Sequence, residues 1–183
     1  MKRGRKIVLL SHCILNCNAK VEGLSSYGAM KFRIIEKLHK MDIGIIQLPC
    51  PEMHIYGIKR WGHTKEQFDN MHYRKEARNI LESIALQVKN YIDNGYKVIG
   101  IIGIDGSPSC GVNITCSGEW GGEFKCIDNY EKALNTLKVI EEKGVFMEEA
   151  EKLFNEMNIN IPFTAIREEG VELSIDRLLL QEA

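Results

Sequence analysis

Four short apolar runs punctuate the chain, at residues 7–10, 43–48, 98–104 and 159–166. Each is continuous rather than alternating, the pattern of a strand covered on both faces, as in a parallel sheet. Between them the apolar period lengthens to three and four. Over 29–41, Phe32, Ile35 and Leu38 share one face with lysines opposite, and over 73–94 the residues Ala77, Ile80, Leu81, Ile84, Val88 and Ile92 form a stripe that Gly95 terminates. Asp128 and Glu131 have capping-box spacing and open a predicted helix running through Leu134, Leu137 and Ile140; Thr64 and Gln67 share that spacing. Further helices are predicted over 146–157 and 171–180. Strand–helix alternation implies right-handed crossovers and one α/β domain. Its expected form is an open, mostly parallel, Rossmann-like sheet of about four to five strands with helices on both faces. Ligands of such sheets sit beyond the carboxyl ends of the strands, so the loops there are where chemistry is expected.

Composition changes this picture little. The 183 residues suffice for one sizeable core; 44% are hydrophobic and 27% charged, and the net charge of -1 provides no global field for nucleic acid. The first six residues are basic, but the apolar stretch that follows is too short for a signal peptide, and no run is long enough to span a membrane. A cytoplasmic protein is expected. In that reducing setting its six cysteines are free thiols, metal ligands or nucleophiles rather than a disulfide framework.

Position separates the cysteines. Cys13 follows the first predicted strand, Cys50 the second and Cys110 the third, each beside Ser, Pro or Gly rather than core-filling neighbours. Buried free cysteine is the ordinary alternative for any one of them. Three thiolates with no dedicated fourth ligand leave an open coordination position, and soft sulfur donors select zinc, copper(I) or an iron–sulfur cluster. Spacing alone does not choose among these.

The segments Ser11-His12-Cys13, Cys50-Pro51-Glu52 and Ser107-Pro108-Ser109-Cys110-Gly111, with Gly23 ten residues past Cys13, resemble the TudS-like desulfidase family. The resemblance covers roughly residues 7–112, and the chain reads as a divergent branch: Ile14-Leu15-Asn16 stands where members often carry Leu-Leu-Gly. It implies a 4Fe–4S cluster held by Cys13, Cys50 and Cys110 with one open iron. It also implies removal of sulfur from a thiolated small molecule such as a thiouracil-like base, with Glu52 and Ser107 as catalytic residues. Expected partners are that small molecule, with no nucleic acid and no membrane; a homodimer is left open.

Other residues enter as candidates around that site. His12 is a proton donor or a packed histidine, and Ser109 a substrate contact. Arg60 and Trp61, in a basic aromatic stretch with Lys59 and Lys65, either bind an anionic aromatic substrate or form a solvated loop. Arg167 ends the fourth run and points at the same crevice. Cys17, four residues past Cys13, is a spare ligand, a thiol relay or an ordinary core thiol, and the separation of Cys116 and Cys126 fits no metal signature. The glycine-rich segment 111–125 reads as a long loop placed to cover the pocket. Two other functions fit the same residues: a thiol enzyme with Cys110 as nucleophile, and a non-catalytic metal or cluster carrier.

Overall fold

The computed structural model of the chain describes residues 3–168 except 124; the helix predicted over 171–180 lies outside the described residues. In chain order the first elements are β1 (Lys6–Leu10), α1 (His12–Leu15), a 3-10 turn (Cys17–Ala19), α2 (Phe32–Lys40), β2 (Ile43–Gln47), α3 (Pro51–Tyr56), α4 (Lys65–Phe68) and α5 (Met71–Asp93). There follow β3 (Lys97–Ile104), β4 (Thr115–Ser117), α6 (Ile127–Leu134), β5 (Lys138–Ile140), α7 (Val145–Glu156) and β6 (Phe163–Ile166). No helix among them is long and apolar enough to cross a membrane.

Four strands form a parallel sheet in the order β2-β1-β3-β6. Successive side chains of a strand point to opposite faces, and each face has its own core. Ile7 and Leu9 of β1 pack with Tyr73, Ala77 and Leu81 of α5 and with Phe146, Ala150 and Phe154 of α7. Val8 and Leu10 pack with Ile14 of α1 and with Ile34 and Leu38 of α2. Helices therefore cover both faces of an open α/β sheet, as the apolar pattern predicts. The chain leaves β1 for β2 on one side and returns to β3 on the other, so strand order reverses at β1 and β3. Doubly wound folds bind ligands at such a switch point.

Several details depart from the pattern. The buried face of α2 carries Ile34 and Leu38, whereas Phe32 is 64% exposed. Edge strand β2 is only partly buried: Ile43 and Ile46 are buried, whereas Gly44 and Gln47 are exposed. The fourth run becomes strand only at Phe163, after Pro162, which has no N–H to place in a ladder. The helix predicted through Ile140 stops at Leu134. Its N-cap is Cys126, with no side-chain cap, and Asp128 sits in its first turn. Residues Lys138–Ile140 instead pair antiparallel with Thr115–Ser117, so the segment read as an uninterrupted loop contains a strand.

Candidate active site

Each of the three cysteine-bearing strand ends is shaped by its own local chemistry. Ser11 follows β1 and its backbone starts α1, which carries Cys13 in its first turn. After β2, Cys50 is the N-cap of α3: its Sγ accepts the Met53 N–H at 3.4 Å, and Pro51 takes the first helical position, where a missing N–H costs nothing. That places Glu52 in the first turn, facing inward.

The loop after β3 is built more elaborately. Asp105 Oδ1 accepts the N–H groups of Val112 (3.1 Å) and Asn113 (2.9 Å). Ser107 Oγ accepts those of Cys110 (3.0 Å) and Ser109 (3.3 Å). The opening turn of α7 has N–H groups with no partner inside the helix. Here Val145 and Phe146 donate to the carbonyls of Pro108 and Ser109 at 3.0 and 3.1 Å. Glycine permits the close approach: a Cβ on Gly103 would lie 2.3 Å from the Cys110 carbonyl oxygen, and one on Gly144 would lie 2.5 Å from the Ser109 carbonyl carbon.

These ends surround one largely apolar cavity of about 520 Å³, lined by Cys13, Cys50, Cys110, His12, Glu52, Arg60, Ser107 and Ser109. At its floor lies a directed hydrogen-bond chain. Ser107 Oγ already accepts two backbone N–H groups, so its own hydrogen goes to Ser109 Oγ, 3.2 Å away. Ser109 donates to Glu52 Oε1 at 2.5 Å. Glu52 Oε2 accepts Arg60 Nε at 3.1 Å. Arg60, 8% exposed, also donates to the carbonyls of Ala19 (2.7 Å) and Gly57 (3.3 Å), joining three segments around the carboxylate.

The thiols lie within electrostatic reach of one another. Burial pushes Cys13 up to about 12, opposed by the Lys20 ammonium and reinforced by Cys50 and Glu52. Burial also raises Cys50, partly offset by the Met53 N–H. It raises Cys110 well above the ordinary thiol, with Cys13 and Cys50 adding to the effect. His12 is held below its usual value by burial, against a backbone hydrogen bond at Leu48.

A stretch of 110 residues is 41% identical to an uncharacterized protein of Methanocaldococcus jannaschii, covering 60% of this chain and 70% of that protein. The chain belongs to that protein's family. No family model matches the chain. No solved structure matches it either.

Some candidates stand apart from the cavity, and some of its walls come from residues the sequence did not mark. Trp61 is 74% exposed and is not among the lining residues; Trp120 is, its Nε1 donating to the Gly62 carbonyl at 3.0 Å. Glu168 lines the cavity while Arg167 is exposed. Lys65 is buried between Glu142 (2.7 Å) and Glu148 (2.6 Å), away from any solvated loop. Lys20 lines the mouth and pairs with the Glu168 carboxylate. His63 lines the wall, stacked on Tyr56 and Phe68 at centroid separations of 4.9 Å. Cys116 also faces the cavity; Cys17 is buried and Cys126 exposed. Trp120 belongs to the glycine-rich segment expected to cover the pocket, but nothing local distinguishes Lys20 from a surface lysine.

Among the described residues, no three His, Cys, Asp or Glu side chains converge tightly enough to share a single metal ion. The ligands of an iron–sulfur cluster bind different irons and stand farther apart than ligands of one ion. Among the described residues, the fully buried Ser11 Oγ, two residues before Cys13, has no hydrogen-bond partner. A buried donor left unpaired beside a soft sulfur of the cavity wall fits a group rich in sulfur acceptors better than it fits an apolar pocket.

Proposed function

We propose that the chain is an iron–sulfur-dependent desulfidase acting on a thiolated small molecule, a thio-base of thiouracil type or a related thiocarbonyl compound. The observation that carries the reading is the placement of the Ser109–Glu52–Arg60 chain in the same cavity as the three strand-end thiols. Cys13, Cys50 and Cys110 would hold a 4Fe–4S cluster whose open iron supplies Lewis acidity toward a soft sulfur atom.

The remaining chemistry belongs to the chain's own side chains. The overall change is hydrolytic: water delivers oxygen to the thiocarbonyl carbon, the C–S bond breaks, and sulfur departs as sulfide. No external electron donor is needed. Glu52 is held by Ser109 and Arg60 with both oxygens engaged, so its position is fixed before substrate enters. From there it takes a proton from the attacking water or returns one to the substrate ring nitrogen. Trp120 and His63 line the cavity and offer flat surfaces for a planar ring.

A thiol enzyme with Cys110 as nucleophile is less well supported. Such nucleophiles need a depressed thiol pKa and access, whereas Cys110 is 8% exposed and its thiol is pushed upward.

The test is anaerobic reconstitution with iron and sulfide, followed by a sulfide-release screen over thiolated bases. Wild type is expected to turn brown and release sulfide, and alanine at Cys13, Cys50 or Cys110 to abolish iron uptake. Glu52→Gln is expected to keep the iron and to lose about 10²-fold or more in rate. Unchanged rate in Glu52→Gln, or colour that survives loss of all three cysteines, overturns the reading.

A further inference from the structure

The segment between the 3-10 turn and α2 runs along the cavity mouth with little packing to hold it. Lys20, Val21 and Leu24 line the cavity, yet Leu24 is 62% exposed, and residues 22–26 and 28–30 face solvent. Backbone hydrogen bonds fix both ends. The Lys20 N–H donates to the Cys17 carbonyl and the Lys31 N–H to the Ile14 carbonyl, each at 2.9 Å. Between them Gly23 has a left-handed φ of 85°, with nothing within 4 Å of where a Cβ would stand. A segment with fixed ends, exposed backbone and few buried apolar contacts belongs to the part of a fold that opens most readily.

What ties down the middle of this segment comes from the far side of the sheet. Glu168 follows edge strand β6. Its Oε1 accepts the Ser26 N–H and the Ser26 hydroxyl, both at 2.9 Å, and its Oε2 pairs with the Lys20 ammonium. Its backbone carbonyl accepts Lys31 Nζ at 2.7 Å. A second tie runs from the Tyr27 hydroxyl to the Cys13 carbonyl at 2.9 Å. Burial opposes the Glu168 charge, but hydrogen bonds from Lys20 and Ser26 outweigh it and hold the carboxyl below its usual range. The tie is therefore ionic, and ionic ties are made and broken more cheaply than apolar packing.

We propose that residues 21–28 are a strap that gates the cavity mouth, latched shut by Glu168 through Ser26 and Lys20 and released to admit substrate. Because Lys20, Val21 and Leu24 belong to the cavity wall, lifting the strap widens the way to the three thiols. The inference rests on the cavity being the active site, and goes beyond the proposed reaction by assigning how that site is reached.

Glu168→Ala removes the carboxylate and keeps the backbone carbonyl that Lys31 uses. Metal-free wild type and variant are compared by residue-resolved amide exchange. Alkylation of Cys13 is then followed with a bulky maleimide and with the small reagent iodoacetamide. The Leu24 amide, which donates to Val21 within the strap and not to Glu168, is expected to exchange about tenfold faster, the scale of one lost charge-assisted hydrogen bond. Maleimide alkylation should rise by a similar factor and iodoacetamide alkylation by less, with exchange along α5 unmoved. Unchanged Leu24 exchange overturns the inference. Equal acceleration with both reagents does so too, since Glu168 would then act on thiol ionisation rather than access. Exchange that rises equally along α5 also overturns it, because Glu168 would then support the whole fold. None of these readouts needs metal or turnover. The desulfidase reading fails separately, when reconstituted wild type takes up no iron.

Discussion

Ser107 and Ser109 flank a single proline and have different partners. Ser107 accepts two backbone N–H groups, which bends the segment after β3 and aims Cys110 inward. Ser109 donates to Glu52 and so joins the chain to which the proposed reaction assigns proton transfer. Substitution should separate these roles. Ser107→Ala leaves two N–H groups unpaired, so about 1–2 kcal/mol of stability should be lost in urea titrations, together with part of the iron uptake. Ser109→Ala should retain iron and lose roughly tenfold in sulfide release, because Glu52 keeps only Arg60 to orient it. If both variants lose iron alike, the division of labour is wrong. The strand-end position made both serines visible in the sequence, but their partners could not be read there. The contact from Ser109 to Glu52 spans 57 positions, and that from Lys20 to Glu168 spans 148. Trp61 makes the same point, since nothing local to it says that it stays outside the cavity.

Among the elements, those that proved legible are the ones whose periodicity is long and uninterrupted. The stripe from Ala77 to Val88 specifies α5, and the continuous run in β3 follows from its place between two strands and two helix layers. Three-residue strands carry no such signature. Val139 and Ile140 continue the spacing of α6 closely enough to look helical, and only pairing with Cys116 and Thr115 makes them strand. Glycines at tight contacts were equally silent, because their meaning depends on a distant backbone. Gly103 in β3 faces the Cys110 carbonyl and Gly144 faces Ser109, so the ligand loop is seated between a strand and the start of α7. Gly103→Ala should therefore cost about 2 kcal/mol, typical of overpacking, and should impair iron uptake by displacing Cys110. Gly28→Ala, at a site with nothing within 4 Å of a new Cβ, should do neither. Equal denaturation midpoints for Gly103→Ala and wild type would contradict this seating.

At the scale of the whole molecule, a charge network away from the cavity fastens the helix layer that supports it. Lys65 of α4 reaches Glu148 of α7 at 2.6 Å, and Arg74 of α5 reaches Glu148 and Glu149 at 2.7 and 2.6 Å, with Asp69 also at 2.7 Å. Glu142 and Lys152 complete the surroundings. Burial alone would raise the Glu148 carboxyl, but hydrogen bonds from Lys65 and Arg74 outweigh it and hold the group below the usual range. Asp69 is lowered by its Arg74 hydrogen bond in the same way. A carboxyl whose folded pKa is depressed stabilises the fold above its unfolded value, near about 4.3, and loses that contribution as pH falls through the folded value. Glu148→Gln should accordingly lower stability by about 1 kcal/mol at pH 7, a modest figure because solvent screens part of the network. The gap between wild type and variant should shrink as pH falls below the unfolded carboxyl value and should close once pH has fallen through the lower folded value. Urea midpoints across that range measure it directly. A gap that does not shrink with acid would mean that Glu148 supports α7 by packing rather than by charge, and the cavity's scaffold would then be indifferent to acid at this position.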